Sequence, residues 1–201
     1  MEIGETIVSL KKRSIQQLVF SAMKSEVKNY NLVARGVHWV SAIVIIGMFA
    51  VGLWMVDLTY YSEWYKTAPH WHKSVGILLA ALTLFRFVWK HATPSPKVEG
   101  KAYEILGAKL VHLAMYLVLV VLFASGYLIS TEDGRGIDVF DWFTVPGLGA
   151  LFENQADLSG EIHFYAAWAL ILMAAVHALA AIKHHVINKD NTLRKMIGAS
   201  K

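Results

Sequence analysis

The sequence predicts an all-α fold, a transmembrane four-helix bundle with both termini cytoplasmic, and three observations predict it. Hydrophobic residues make up 56% of the 201 residues and charged residues only 17%, where a soluble domain carries about 25% charge. Four windows are apolar over the roughly 20 residues that a helix needs to cross a hydrocarbon core. Lys and Arg gather in the three segments that a four-span chain places on one side of the bilayer, and the positive-inside rule makes that side cytoplasmic.

The elements follow in order. Residues 1–35 read as a cytoplasmic N-terminal arm and residues 36–201 as the four-helix domain with a short tail. The arm has no apolar h-region with a small-residue cleavage site, so no cleaved signal peptide is expected. It mixes Ile3, Ile7, Val8, Leu10 and Leu18 with Lys11, Lys12 and Arg13, a pattern that suits a helix lying on anionic lipid or a solvated tail. The spans are expected over residues 36–56, 71–90, 110–129 and 162–182. Arg86 lies inside the second, one turn from its end, where a long side chain can snorkel to the headgroups.

Pro94 and Pro96 punctuate the inner loop, and Gly134, Gly136, Pro146 and Gly147 the long outer one. The outer side holds only Lys66, Lys73 and Arg135 among its basic residues, and the stretch 131–161 carries Glu132, Asp133, Asp138, Asp141, Glu153, Asp157 and Glu161. Tyr60, Tyr61, Trp64, Tyr65, Trp71, Trp142 and Phe143 cluster at the same boundary, as an interfacial aromatic belt does. The formal net charge of +4 is explained by membrane topology, not by nucleic-acid binding.

The chain has no Cys and nine His, which excludes disulfides, iron–sulfur clusters and thiolate zinc and leaves imidazole as the strong metal ligand. A titratable ring inside a bilayer is costly to desolvate and marks a functional candidate. His38 enters the first span near the inner face, and His72 enters the second near the outer face. His163 and His177 lie fourteen residues apart on the fourth span, a rise of about 21 Å with the two rings within about 40° of one face. His38 therefore matches His177 in depth, and His72 matches His163. Two such pairs are what two six-coordinate hemes require, one axial nitrogen from either side of each macrocycle.

His112 shares the inner depth and reads as a helix-packing residue, a quinone contact or a rival inner ligand. His70 lies beside Pro69 in the outer loop and His91, His184 and His185 at inner helix ends, and all four are expected to face headgroups and water. Heme propionates would pair with cations at the boundary; Arg35, Arg86 and Lys183 are inner candidates and Lys73 an outer one.

These residues resemble the bacterial cytochrome b561 family of four-helix diheme membrane proteins. The resemblance covers residues 31–198 and rests on Arg35-Gly-Val-His38-Trp39, His72-Lys-Ser-Val-Gly76 and Gly126-Tyr-Leu-Ile-Ser130. It continues in Glu161-Ile-His163, in His177, in His184-His185 and in Lys189-Asp190-Asn191-Thr192-Leu193. It implies two hemes b per chain, one on His38 with His177 and one on His72 with His163, in an inner-membrane carrier passing electrons between a donor and quinone. Some members of the family are quinone-reducing superoxide oxidases; the acidic outer loop departs from what an anionic substrate needs.

Two other functions are consistent with four His-bearing spans. One keeps the hemes and makes the chain the membrane anchor and electron relay of a basic, soluble periplasmic redox protein. The other is a proton or cation transporter using intramembrane His as a relay, which predicts carboxylates inside the spans; none lies between the ends of any window.

Overall fold

The computed structural model describes residue 11 and residues 27–199, so the expected surface helix of the arm lies outside the described residues. Four helices long and apolar enough to cross a membrane are present. They are α1 (Leu32–Val56), α2 (Thr67–Ala92), α3 (Ala102–Thr131) and α4 (Gln155–Lys183), followed by a π-helical turn (His184–Asn188) and a short α5 (Thr192–Ile197). Each expected span falls inside one of them, and each helix extends beyond its window because polar end residues supply caps that hydropathy does not register.

Asn31 is the clearest case. Its side-chain oxygen accepts from Ala34 N at 2.8 Å, satisfying a donor that the first turn leaves orphaned, and Trp89 Nε1 at the end of α2 donates to the same oxygen at 3.1 Å. One side chain thus starts α1 and ties it to α2. Pro69 is tolerated in the first turn of α2, where its missing N–H has no helical acceptor. The same helix ends at Thr93, whose extended backbone (φ −120, ψ 147) is what a following proline imposes. α3 begins where Glu104 Oε2 accepts from Lys101 N at 2.8 Å. Ala156 N at the start of α4 donates to Glu132 Oε1 at 3.1 Å.

Between α3 and α4 the loop punctuated by Gly134, Gly136, Pro146 and Gly147 contains a small antiparallel hairpin, β1 (Ile137–Val139) with β2 (Phe143–Val145), in which Ile137 pairs with Val145. Ile137 and Val139 are buried. Phe140 N donates to Ser74 Oγ at 2.8 Å, and Tyr127 Oη donates to Pro146 O at 2.7 Å. The hairpin is thereby fastened over the ends of α2 and α3, on the face opposite the chain's termini.

α1 packs along α2 and α3 along α4, while the two pairs touch sparsely. Few apolar side chains are buried within the bundle, Leu79, Leu119, Ala166 and Leu170 among them; Ile43, Leu84, Leu117 and Leu179 stand exposed on the four helices. That inversion of the soluble pattern follows from the solvent, since lipid tails are as apolar as leucine. The sparse seam between the two helix pairs is where the histidines meet.

At the terminal face, Lys195 of α5 is buried and donates to Lys97 O at 2.8 Å and to Glu99 Oε1 at 2.5 Å. Asn191 N donates to Glu99 Oε2 at 3.0 Å, and Trp39 Nε1 of α1 to Met196 O at 3.1 Å. The tail is a fitted cap over this end of the bundle.

Candidate functional site

The histidines of the seam come from different helices. His38 on α1 faces His177 on α4 with ring centroids 6.3 Å apart and planes inclined by 78°. His72 on α2 faces His163 on the same α4 with centroids 6.4 Å apart and an inclination of 70°. Because α4 is unbroken between them, the two pairs are about 21 Å apart along its axis, which covers most of a hydrocarbon core of about 30 Å.

These spacings have a chemical meaning. A first-row metal bonded to an imidazole nitrogen at about 2 Å, with that nitrogen about 1.1 Å from its ring centre, separates two opposed ring centroids by roughly 6.2 Å. Both pairs leave that gap. His112 on α3 stands 5.0 Å from the His177 ring, too close for a metal between the two. Among the described residues no three His, Cys, Asp or Glu side chains converge as a bare metal ion would require, whereas a heme iron takes only two ligands from the protein. The donor sets therefore fit heme.

The surroundings of the His72–His163 pair are built for close approach. A Cβ placed on Gly52 of α1 would lie 3.4 Å from His72 Cε1, and one on Gly126 of α3 would lie 3.1 Å from His163 Cε1. Small residues at these positions let the neighbouring helices approach the imidazoles. His163 Nδ1 lies 3.1 Å from Leu122 O and 3.2 Å from Ser125 Oγ. A carbonyl only accepts, so Nδ1 carries the proton and Nε2 keeps its lone pair for a ligand. His72 Nδ1 is buried with no hydrogen-bond partner.

The other pair is set differently. Arg86 Nη2 of α2 lies 2.9 Å from His38 Nδ1, a contact between helices 48 positions apart in sequence that spacing could not disclose. The Arg86 guanidinium also lies 5.9 Å from the centre of the Tyr116 ring, and the Lys90 ammonium 5.8 Å from the same ring. The hydroxyl of Tyr116 is buried without a partner. From sequence, Arg86 is a snorkelling residue and an inner propionate candidate; its contact with His38 is what spacing left out.

The remaining cations divide. Arg35 Nε is buried and unpartnered, Lys183 donates to Glu104 Oε1 at 2.5 Å, and the Asp133 carboxyl is held below its usual range by hydrogen bonds from Arg135, with Lys73 adding a lesser electrostatic share. Two end histidines are not free in water as expected. His184 Nδ1 pairs with Asp190 Oδ2 at 2.5 Å with its side chain only 13% exposed, because the π-helical turn folds it back under the tail, and His185 Nδ1 is buried without a partner. His70 packs edge-on against Phe140 of the hairpin, while His91 is exposed with Nδ1 2.7 Å from Phe87 O.

Comparison with known proteins gives the family. A family model described as prokaryotic cytochrome b561 matches residues 29–199. Cytochrome b561 homolog 2 of Escherichia coli K12 is 45% identical over 175 residues, 86% of this chain and 93% of that protein. A probable superoxide oxidase of Yersinia pestis is 30% identical over 173 residues, 85% of this chain and 96% of that protein. Cytochrome b561 homolog 1 of Escherichia coli K12 is 27% identical over 164 residues, with 80% and 92% covered.

Proposed function

This chain belongs to the prokaryotic cytochrome b561 family, and from that premise we propose that it is a diheme carrier moving electrons across the bacterial inner membrane and exchanging them with quinone. Membership makes it an integral membrane b-type cytochrome that holds heme b and transfers electrons.

In that reading His38 and His177 hold the heme nearer the terminal face, and His72 and His163 hold the one under the hairpin. The observation that carries it is the recurrence, at two depths of one helix, of an imidazole pair spaced at 6.3 Å and 6.4 Å. Heme, when bound, supplies one-electron iron chemistry. Two histidine nitrogens would hold each iron, a ligation that would favour electron transfer over oxygen binding. Basic residues on the terminal face orient it to the cytoplasm. His112, near the His177 ring, is placed to contact a quinone head group or to pack the inner site. Arg35 and Arg86 are the cations with capacity for propionates there, and Lys73 for the outer heme.

A reduced-minus-oxidised spectrum of the purified protein, with a pyridine hemochrome count, tests this. Two hemes b per chain are expected; one or none would end the diheme reading. A second reading, relay to a basic soluble partner on the hairpin face, is favoured by the carboxylates there. Most of these are exposed.

A further inference from the structure

The turn of the hairpin is strained, aromatic and fixed in place. With Val139 paired to Phe143, only Phe140, Asp141 and Trp142 make the turn, and Trp142 N donates to Val139 O at 3.1 Å to close it. Phe140 sits there at φ 48, a left-handed backbone that glycine adopts freely and a bulky side chain rarely does. Such strain persists where the surroundings over-determine it. Here Phe140 N donates to the buried Ser74 Oγ at 2.8 Å, and the Phe140 ring meets His70 of α2 edge-on with centroids 6.3 Å apart.

On its other side the Phe140 ring lies 5.3 Å from that of Trp142, which is 71% exposed. Three neighbouring rings thus run from solvent to the first turn of α2, two residues before His72. Asp138 and Asp141 stand exposed beside them. A projecting indole within a polar rim has the anatomy of a protein-docking site, and a rim of carboxylates selects a basic partner. The same rim repels anionic lipid headgroups. Electron transfer falls steeply with distance, so a partner must seat where the covered route is short. Electron-transfer encounters use small contacts, and two strands of three residues offer one.

We propose that the hairpin tip is the electron port of this face: a basic, soluble one-electron protein seats on Trp142 between Asp138 and Asp141 and exchanges electrons with the heme under the hairpin by way of Phe140 and His70. One electron crosses, the redox centre of one protein being oxidised as the other is reduced, and no bond forms or breaks. The inference rests on the assignment of His72 as a ligand and on the relay reading given above, to which it adds the place of contact.

The probe is mitochondrial cytochrome c, a small basic one-heme protein. The full-length holoprotein in detergent is reduced, and its oxidation by ferricytochrome c is followed by stopped flow at several ionic strengths. Trp142→Ala is expected to lower the low-salt rate by about tenfold or more, the loss of one interface anchor. Phe140→Gly, which keeps the left-handed turn and removes the ring, should also slow it. Asp141→Asn should lower the rate and flatten its dependence on salt. Tyr61→Ala, an exposed aromatic of the α1–α2 loop, should change nothing. Low-spin spectra and midpoint potentials of both hemes should be the same in all four variants, so that a slowed rate reports docking and not a damaged site.

A rate indifferent to Trp142, or lowered as much by Tyr61→Ala, would overturn the port. Quenching of Trp142 by brominated lipid, with the rate unchanged in Trp142→Ala, would return that residue to the aromatic belt and overturn it equally. The relay reading is judged separately on the unsubstituted protein. No reaction with cytochrome c, or a rate that rises with salt, would overturn that reading and the port together. A fast rate that falls with salt but ignores Trp142 and Phe140 overturns the port alone.

Discussion

At the scale of single residues, the four histidines proposed as ligands should behave as two independent pairs. His163→Ala should remove the heme under the hairpin and leave much of the other, and His177→Ala the reverse, as read by hemochrome counts and low-spin spectra. Two intact low-spin hemes in either variant would contradict the pairing. His112→Ala should keep both hemes, because its ring is 5.0 Å from His177 and leaves no space for an iron. Gly126→Ala is the subtler case: the added methyl would lie 3.1 Å from His163 Cε1, tighter than an unstrained contact, and should weaken only the heme under the hairpin. The pairs were legible in the sequence because a helix converts spacing directly into depth and azimuth. The Gly126 contact and the Arg86–His38 bond were not, since each depends on how two helices rotate about their axes, which no single-helix pattern encodes.

At the scale of elements, the spans were legible from hydropathy and their ends were not, because the caps are polar groups drawn from flanking segments. The hairpin escaped for a related reason. Its strands are three residues each, too short to show alternation, and they are held by Ser74 and Tyr127 from other helices. Ser74→Ala should therefore leave the Phe140 N–H without its acceptor, a loss of about 1–3 kcal/mol for a buried group. Hydrogen exchange should show the hairpin amides exchanging faster while those of the helices do not change; unchanged hairpin protection would contradict this.

The cap at the opposite end has its own pH signature. The hydrogen bond from Lys195, with that from Asn191, holds the Glu99 carboxyl below its ordinary value of 4.5. A depressed carboxylate pKa contributes stability that is present above the unfolded value and is lost as pH falls through the folded one. The cap should accordingly loosen below about pH 4.5, and exchange at residues 191–197 should rise there. In Glu99→Gln that acid step should be absent.

At the scale of the whole molecule, the two faces carry opposite charge, and the partner on the hairpin face can be argued from that. Seven carboxylates lie between Glu132 and Glu161, opposed by Arg135 alone, and Arg135 is already ion-paired with Asp133. That pairing keeps the Asp133 carboxyl below its usual range, so it does not neutralise near pH 7. Such a surface repels anions and attracts cations over a Debye length of about 8 Å at physiological salt. A relative 30% identical to this chain is named a probable superoxide oxidase, and superoxide is an anion. Stopped-flow reduction of the oxidised hemes by superoxide should therefore be slow here and should quicken as salt is raised, because screening weakens repulsion. A basic redox protein offered to the same face should show the opposite slope, faster at low salt. A near-diffusion-limited superoxide rate that falls with salt would mean a positive approach path to the heme under the hairpin, and superoxide oxidation would then displace quinone exchange with a basic or neutral donor as the leading reaction.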